Sequence, residues 1–173
     1  MNEFIKQYKN YILPISMILI LSLSRLVPHP YNFTPILAVG VFSGFYFKNF
    51  IISFFVVICS MFIGDLYLGF HGTMIFTYGS LALCVLFGNL IKKFKFKEIL
   101  YSGIASSISF FLITNFGVWA LGSMYQKNFN GLIQSYFMGI PFFHNTILST
   151  LIYLFIIKIL YDFILSKKLI KKF

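Results

Sequence analysis

Residues 50–71 read FIISFFVVICSMFIGDLYLGFH. From Phe50 to Gly64 the only ionisable side chain is the thiol of Cys59, and the apolar run continues to Leu68. That is close to the roughly 20 residues a helix needs to cross the hydrocarbon core of a bilayer. Near its end stands Asp65, followed by Tyr67 and His71. An ionised carboxylate in hydrocarbon costs several kcal/mol unless it is paired or hydrated, so such residues face a bundle interior or a wet cavity. The stretch therefore predicts a transmembrane helix with a polar site at one end.

Five further apolar runs flank it: Tyr11–Val27, Pro35–Phe47, Met74–Ile91, Ile99–Leu121 and Pro141–Leu165. Pro14 falls near the start of the first, where a proline costs a helix little. Pro28-His29-Pro30 ends that run. The Pro35–Phe47 run is short for a crossing and reads as a tilted, short or re-entrant helix. It carries Gly40 and Gly44, a GxxxG pair that admits close approach of another helix and suits a partner membrane protein. Ten-residue segments of alternating hydrophobicity, the mark of a membrane β-barrel, are absent. The expected fold is all-α: a polytopic membrane helical bundle of about six transmembrane helices, forming one domain over residues 1–173.

Composition agrees. The chain is 59% hydrophobic and 10% charged, with a mean hydropathy of +0.87, whereas a soluble domain carries roughly a quarter of its residues as charges. The net charge of +10 reads as topology rather than nucleic-acid binding, because the lysines sit in short flanks between apolar runs. With the N-terminus inside, Lys6, Lys9, Lys48, Lys92, Lys93, Lys95, Lys97, Lys167, Lys168, Lys171 and Lys172 are cytoplasmic, and only Arg25 and Lys127 lie opposite. That bias requires an even number of crossings, with both termini cytoplasmic. Lys158 lies inside the last run, four residues before Asp162, at pairing distance. Ser22-Leu23-Ser24-Arg25 is a poor small-x-small cleavage site, so the first run reads as an uncleaved helix. Cys59 and Cys84 read as small core residues.

On that topology the unusual side chains gather at one face. Arg25 and His29 follow the first run, Asp65, Tyr67 and His71 end the third, Asn115 and Trp119 end the fifth, and His144 and Asn145 open the last. The asymmetry predicts a pocket open to the outside, roofed by the loops after the first, third and fifth runs. Each residue also has a plainer reading. Asp65 can clamp Arg25, His29 can order its loop, and His71 and Trp119 can sit at the headgroup level. His144 with Asn145 can cap the start of the last helix. His29, Asp65, His71 and His144 come from separate segments with no metal-site or hydrolase spacing. Neither a metal, a cofactor nor a catalytic activity is expected.

Four stretches resemble, in order, the motifs of a family of small bacterial membrane proteins grouped as candidate transport proteins. Arg25-Leu26-Val27-Pro28-His29-Pro30-Tyr31-Asn32-Phe33-Thr34-Pro35-Ile36 resembles its RxxPHPxNFTPI opening, and Asp65-Leu66-Tyr67-Leu68-Gly69-Phe70-His71 its DLxLGFH segment. Thr114-Asn115-Phe116-Gly117-Val118-Trp119 resembles TNFGVW, and Ile140-Pro141-Phe142-Phe143-His144-Asn145-Thr146 resembles IPFFxNT. More distantly, the layout is similar to the substrate-binding S components of energy-coupling-factor vitamin transporters, including a solitary cobalamin-transporting type. The chain departs from these in two ways: the first run lacks an AxxxA docking pattern, and Cys84 lies too deep for the cobalt-ligating cysteine.

The resemblance implies uptake of a vitamin-like solute, possible for a cobalamin-type ligand, across the bacterial inner membrane. Arg25, Asp65 and Asn115 then supply polar contacts, while Tyr67, Trp119 and Phe143 stack on the solute. His29, His71, His144 and Asn145 complete the site. The chain has no phosphate-binding loop, so any ATP is hydrolysed by a separate ATPase, reached directly or through a transmembrane coupling subunit.

Overall fold

The computed structural model describes the backbone of residues 3–166 and the side chains of Ile12 and of residues 15–163, 165 and 166. The basic residues Lys167, Lys168, Lys171 and Lys172, and the side chains of Lys6 and Lys9, lie outside the described residues. Within them the chain is all-helical: α1 (Glu3–Ser24), α2 (Ile36–Phe47), α3 (Phe50–Leu68), α4 (Met74–Leu90), α5 (Phe96–Leu121) and α6 (Phe129–Ser166). Helices α3, α5 and α6 are long and apolar enough to cross a membrane, whereas α2 and α4 are shorter apolar helices.

The distribution of side chains is inverted relative to a water-soluble bundle. Phe55, Leu66, Ile75, Leu90, Ile152 and Phe155 are exposed, while Ser43, Ser53, Ser60, Ser80, Ser106, Ser107, Ser149 and Thr150 are fully buried. Apolar tails gain nothing from mutual burial in lipid, so close packing of small residues and interhelical hydrogen bonds take over as the cohesive forces. Ser53 Oγ shows the second: it donates across to the Ser43 carbonyl on α2 at 2.8 Å.

Helix α2 is the hub, packing against α3, α4, α5 and α6, with eight of its twelve residues buried. Its closest neighbour is α4, at backbone-to-backbone contact. A Cβ added at Gly44 would run into the Val85 carbonyl, and one added at Gly88 into the Val41 carbonyl. Gly40 faces the Cys84 side chain in the same seam. The GxxxG face expected to receive a separate membrane protein is therefore filled from within the chain, because α4 carries its own glycine opposite.

Turn chemistry joins these helices tightly. Lys48 closes α2 in the left-handed conformation at φ 50°, and Asn49 caps α3 by accepting from Ile52 N at 3.1 Å. The Lys48 ammonium reaches the end of α4, donating to Asn89 O at 3.0 Å and to Ile91 O, where a cation complements the helix dipole. Beside it Phe45, Phe94 and Tyr161 interlock, Phe45 stacked on Phe94 at 4.7 Å and edge-on to Tyr161 at 5.7 Å. This aromatic plug closes the end of the bundle that carries Lys48 and the Lys92–Lys97 cluster.

Helix α6 departs from expectation. It begins at Phe129 and runs through Pro141 rather than starting there. Asn128 supplies the start, its Oδ1 accepting from Gly131 N at 2.9 Å, an Asn placement that N-termini favour. Proline inside a helix is tolerated where neighbouring helices hold the chain on both sides. His144 and Asn145 consequently lie in mid-helix, and their expected capping role is excluded.

Replacing Gly88 with Leu forces α2 from α4 at their tightest contact. The expected cost is on the order of 3 kcal/mol or more, read as loss of the monodisperse peak in detergent size-exclusion chromatography, while Gly79→Leu, whose Cβ meets open space, leaves that peak in place.

Candidate functional site

Arg25 follows the last turn of α1 and lies along α3. Its Nη1 donates to Asp65 Oδ1 at 2.7 Å and to the Met61 carbonyl at 2.9 Å. Gly64 makes this possible, since any Cβ there would strike the guanidinium. The second carboxylate oxygen of Asp65 accepts from the Tyr78 hydroxyl of α4 at 2.6 Å. Asp65 is 1% exposed and Arg25 17%. Both oxygens of the Asp65 carboxylate are thus engaged, and α3, α4 and the end of α1 are tied at one point.

Above this clamp lies a cavity of about 520 Å³. All six helices or their adjoining loops contribute to it. Arg25 borders it after α1, His29, Tyr31, Asn32 and Thr34 from the following loop, Ile36 and Leu37 from the first turn of α2, and Met61 and Leu68 from α3. His71 of the α3–α4 loop and Thr77 and Leu81 of α4 continue the wall. Phe110, Thr114, Asn115 and Val118 of α5, Met124 and Tyr125 of the α5–α6 loop, and Met138, Phe142 and Thr146 of α6 close it. The cavity rests on the N-terminal end of α2. At 1.5 Å per residue a twelve-residue helix spans about 18 Å, well short of the roughly 30 Å of hydrocarbon. The short hub leaves the space that the cavity occupies.

The surrounding loops are held by specific bonds. Asn145 Nδ2 donates to Tyr31 O at 3.0 Å and Ser149 Oγ to Asn32 O at 3.4 Å, fastening the 28–35 loop to α6. Asn32 adopts φ 61°, a left-handed conformation asparagine tolerates. Tyr31 meets Phe142 edge-on at 6.0 Å. His29 Nδ1 lies 2.5 Å from Val27 O. Across the cavity, Lys127 caps the end of α5 by donating to the carbonyls of Trp119, Ala120 and Gly122. Trp119 Nε1 donates to Gln126 O at 3.0 Å.

Of the ten residues singled out from the sequence, Arg25, His29, His71 and Asn115 border the cavity. Asp65 stands behind Arg25, outside the wall. Trp119 and Asn145 brace the loops that form it. Tyr67 is 78% exposed, Phe143 packs on Phe111 at 4.8 Å, and His144 is exposed on α6; none of these three lines the cavity. Among the described residues, no group of three or more His, Cys, Asp or Glu side chains comes together to hold a metal ion. Sequence reasoning missed Tyr78, whose hydroxyl completes the clamp, and the wall residues Tyr31, Thr114, Tyr125 and Thr146. Thr114 adjoins Asn115 and was within reach, but no local pattern distinguishes Tyr78 from ten other tyrosines.

The sequence from residue 5 to residue 172 matches the model of a family of unknown function, DUF6580. The chain belongs to DUF6580. The match spans the whole bundle, from α1 to beyond α6, so the clamp, the short hub and the cavity of this DUF6580 chain all lie within the family region. No curated protein and no solved structure matches it.

Removing one partner of a buried ion pair strands the other charge, at about 3–5 kcal/mol, whereas deleting one hydroxyl donor leaves a carboxylate oxygen unsatisfied at about 1–3 kcal/mol. Thermal unfolding followed by the fluorescence of Trp119 is therefore expected to fall most for Asp65→Ala, less for Tyr78→Phe and little for Tyr67→Phe.

Proposed function

We propose that this chain is a small-solute uptake protein of the bacterial inner membrane, with both termini cytoplasmic, that captures its solute from the outer side in the cavity above α2. It binds and passes the solute without bond chemistry. The observation that carries this reading is a cavity walled by α2 to α6, Arg25 and the connecting loops, at the end of the bundle away from the basic cluster. About 520 Å³ falls in the range of small-molecule sites, roughly 300–1,000 Å³, and the mixture of an apolar wall with a few polar groups is what such sites contain. The excess of lysine at the opposite end supports an outward orientation for the mouth.

The size favours a vitamin-like solute of one or two rings over a corrinoid. Cys84 argues the same way: it is buried in the α2–α4 seam with its thiol toward Ser80 O at 3.3 Å, away from the cavity wall, and so is not placed to ligate cobalt. The resemblance to S components supports a division of labour in which a separate ATPase or transmembrane coupling subunit drives release. The plug of Phe45, Phe94 and Tyr161 stands between the cavity and the cytoplasmic side, so release requires that plug to part.

Purification in mild detergent followed by native mass spectrometry tests the reading. The wild-type protein is expected to retain a small molecule of a few hundred daltons. Val118→Trp and Met138→Trp, which fill the cavity from α5 and α6, are expected to lose it while unfolding within a few degrees of wild type. Retention of nothing by the wild type, or equal retention by both variants, rejects the reading.

A further inference from the structure

Two sets of hydrogen-bonding groups in the cavity wall, the guanidinium of Arg25 and the threonine hydroxyls of α4, α5 and α6, bear on the chemistry of an occupant. A guanidinium carries five N–H donors, two of them on each terminal nitrogen and one on Nε. Nη1 of Arg25 spends both of its own on Asp65 and Met61. Nη2 and Nε have no protein partner among the described residues, and Arg25 borders the cavity.

The threonine hydroxyls of α4, α5 and α6 are arranged the opposite way. Thr77 Oγ1 donates to Thr73 O, Thr114 Oγ1 to Phe110 O and Thr146 Oγ1 to Phe142 O. Asn115 Nδ2 donates to Phe111 O at 2.8 Å. A hydroxyl has one hydrogen and two lone pairs, so each threonine, its hydrogen spent on its own helix, offers only acceptor capacity to the cavity. Met61, Leu81, Phe110 and Phe142 give the wall its apolar surface. Among the described residues no carboxylate borders the cavity: Asp65 is outside the wall with both oxygens taken, and Glu98 and Asp162 lie at the plugged end.

We infer that the cavity takes a small organic acid: its carboxylate on the free Nη2/Nε edge of Arg25, its apolar body against Leu81, Phe110 and Phe142, and its N–H or O–H donors toward Thr114, Asn115 and Thr146. A planar fork of donors suits a carboxylate better than any neutral group. Asp65 neutralises Arg25 from behind and so holds the guanidinium in place without competing for that edge. The inference rests on the solute-pocket reading and narrows it to one class of ligand.

The test is a thermal-shift screen of the full chain in dodecylmaltoside, using matched sets in which each carboxylic acid is paired with its primary amide: p-aminobenzoate, nicotinate, pantothenate, biotin and lipoate. Shifts are expected among the acids and not among their amides. Arg25→Lys, which keeps the charge and loses the fork, is expected to weaken the best acid by about tenfold. The double variant Arg25→Gln/Asp65→Asn, neutral on both sides of the clamp, is expected to fold and to bind no acid. Shifts confined to amides, or an Arg25→Lys protein that binds the acid as tightly as wild type, overturn the inference while leaving a solute pocket standing. A shift with phosphatidylglycerol and with no soluble acid assigns the guanidinium edge to a lipid headgroup and also overturns it. If no compound shifts the protein and nothing co-purifies with it, the pocket reading falls and this inference with it.

Discussion

A buried ion pair constrains the cavity end of this molecule. Arg25 and Asp65 meet at 2.7 Å in a region with little water, where separation of the two charges is far more costly than at a protein surface. Tyr78 takes the remaining carboxylate oxygen, so three helices that share few other polar contacts are registered against one another. The pair also fixes which part of the guanidinium stays available. One edge of Arg25 serves the clamp, and the other has no protein partner among the described residues.

The opposite end is organised by close approach instead. Gly44 and Gly88 bring α2 and α4 together at carbonyl contact, where dispersion and interhelical hydrogen bonding replace the hydrophobic effect as the source of cohesion. Because α2 is both central and short, the bundle is filled to the plug of Phe45, Phe94 and Tyr161 at one end and hollow at the other. The cavity is a geometric consequence of a twelve-residue hub inside a bundle whose outer helices are long enough to cross a membrane.

The loops complete the division. Asn145 and Ser149 fasten the proline-rich segment to α6, and Lys127 and Trp119 shape the α5–α6 connection. Met124 and Tyr125 reach the cavity only because that connection is held at its base. Residues that read as ligand contacts from their place at one end of the apolar runs, Trp119 and Asn145 among them, act on the wall from one step away.

The linear pattern by itself determined the all-helical bundle, the bounds of α3 and α4 to within a residue, and the gathering of Arg25, His29, His71 and Asn115 at one end. Those follow from run length and from the price of charge in hydrocarbon, both of which are local or additive along the chain. Tertiary structure alone decided the rest. Pro141 reads locally as a helix start, yet Asn128 caps α6 thirteen residues upstream and neighbours carry the helix through. Gly40 and Gly44 read as an open docking face until α4 is seen to fill it. Tyr78 has no signal of its own, and Tyr67, two residues from Asp65, points away because a helix turns about 100° per residue. Which side chain meets which across two helices depends on their relative rotation and depth, and nothing local in a sequence encodes either.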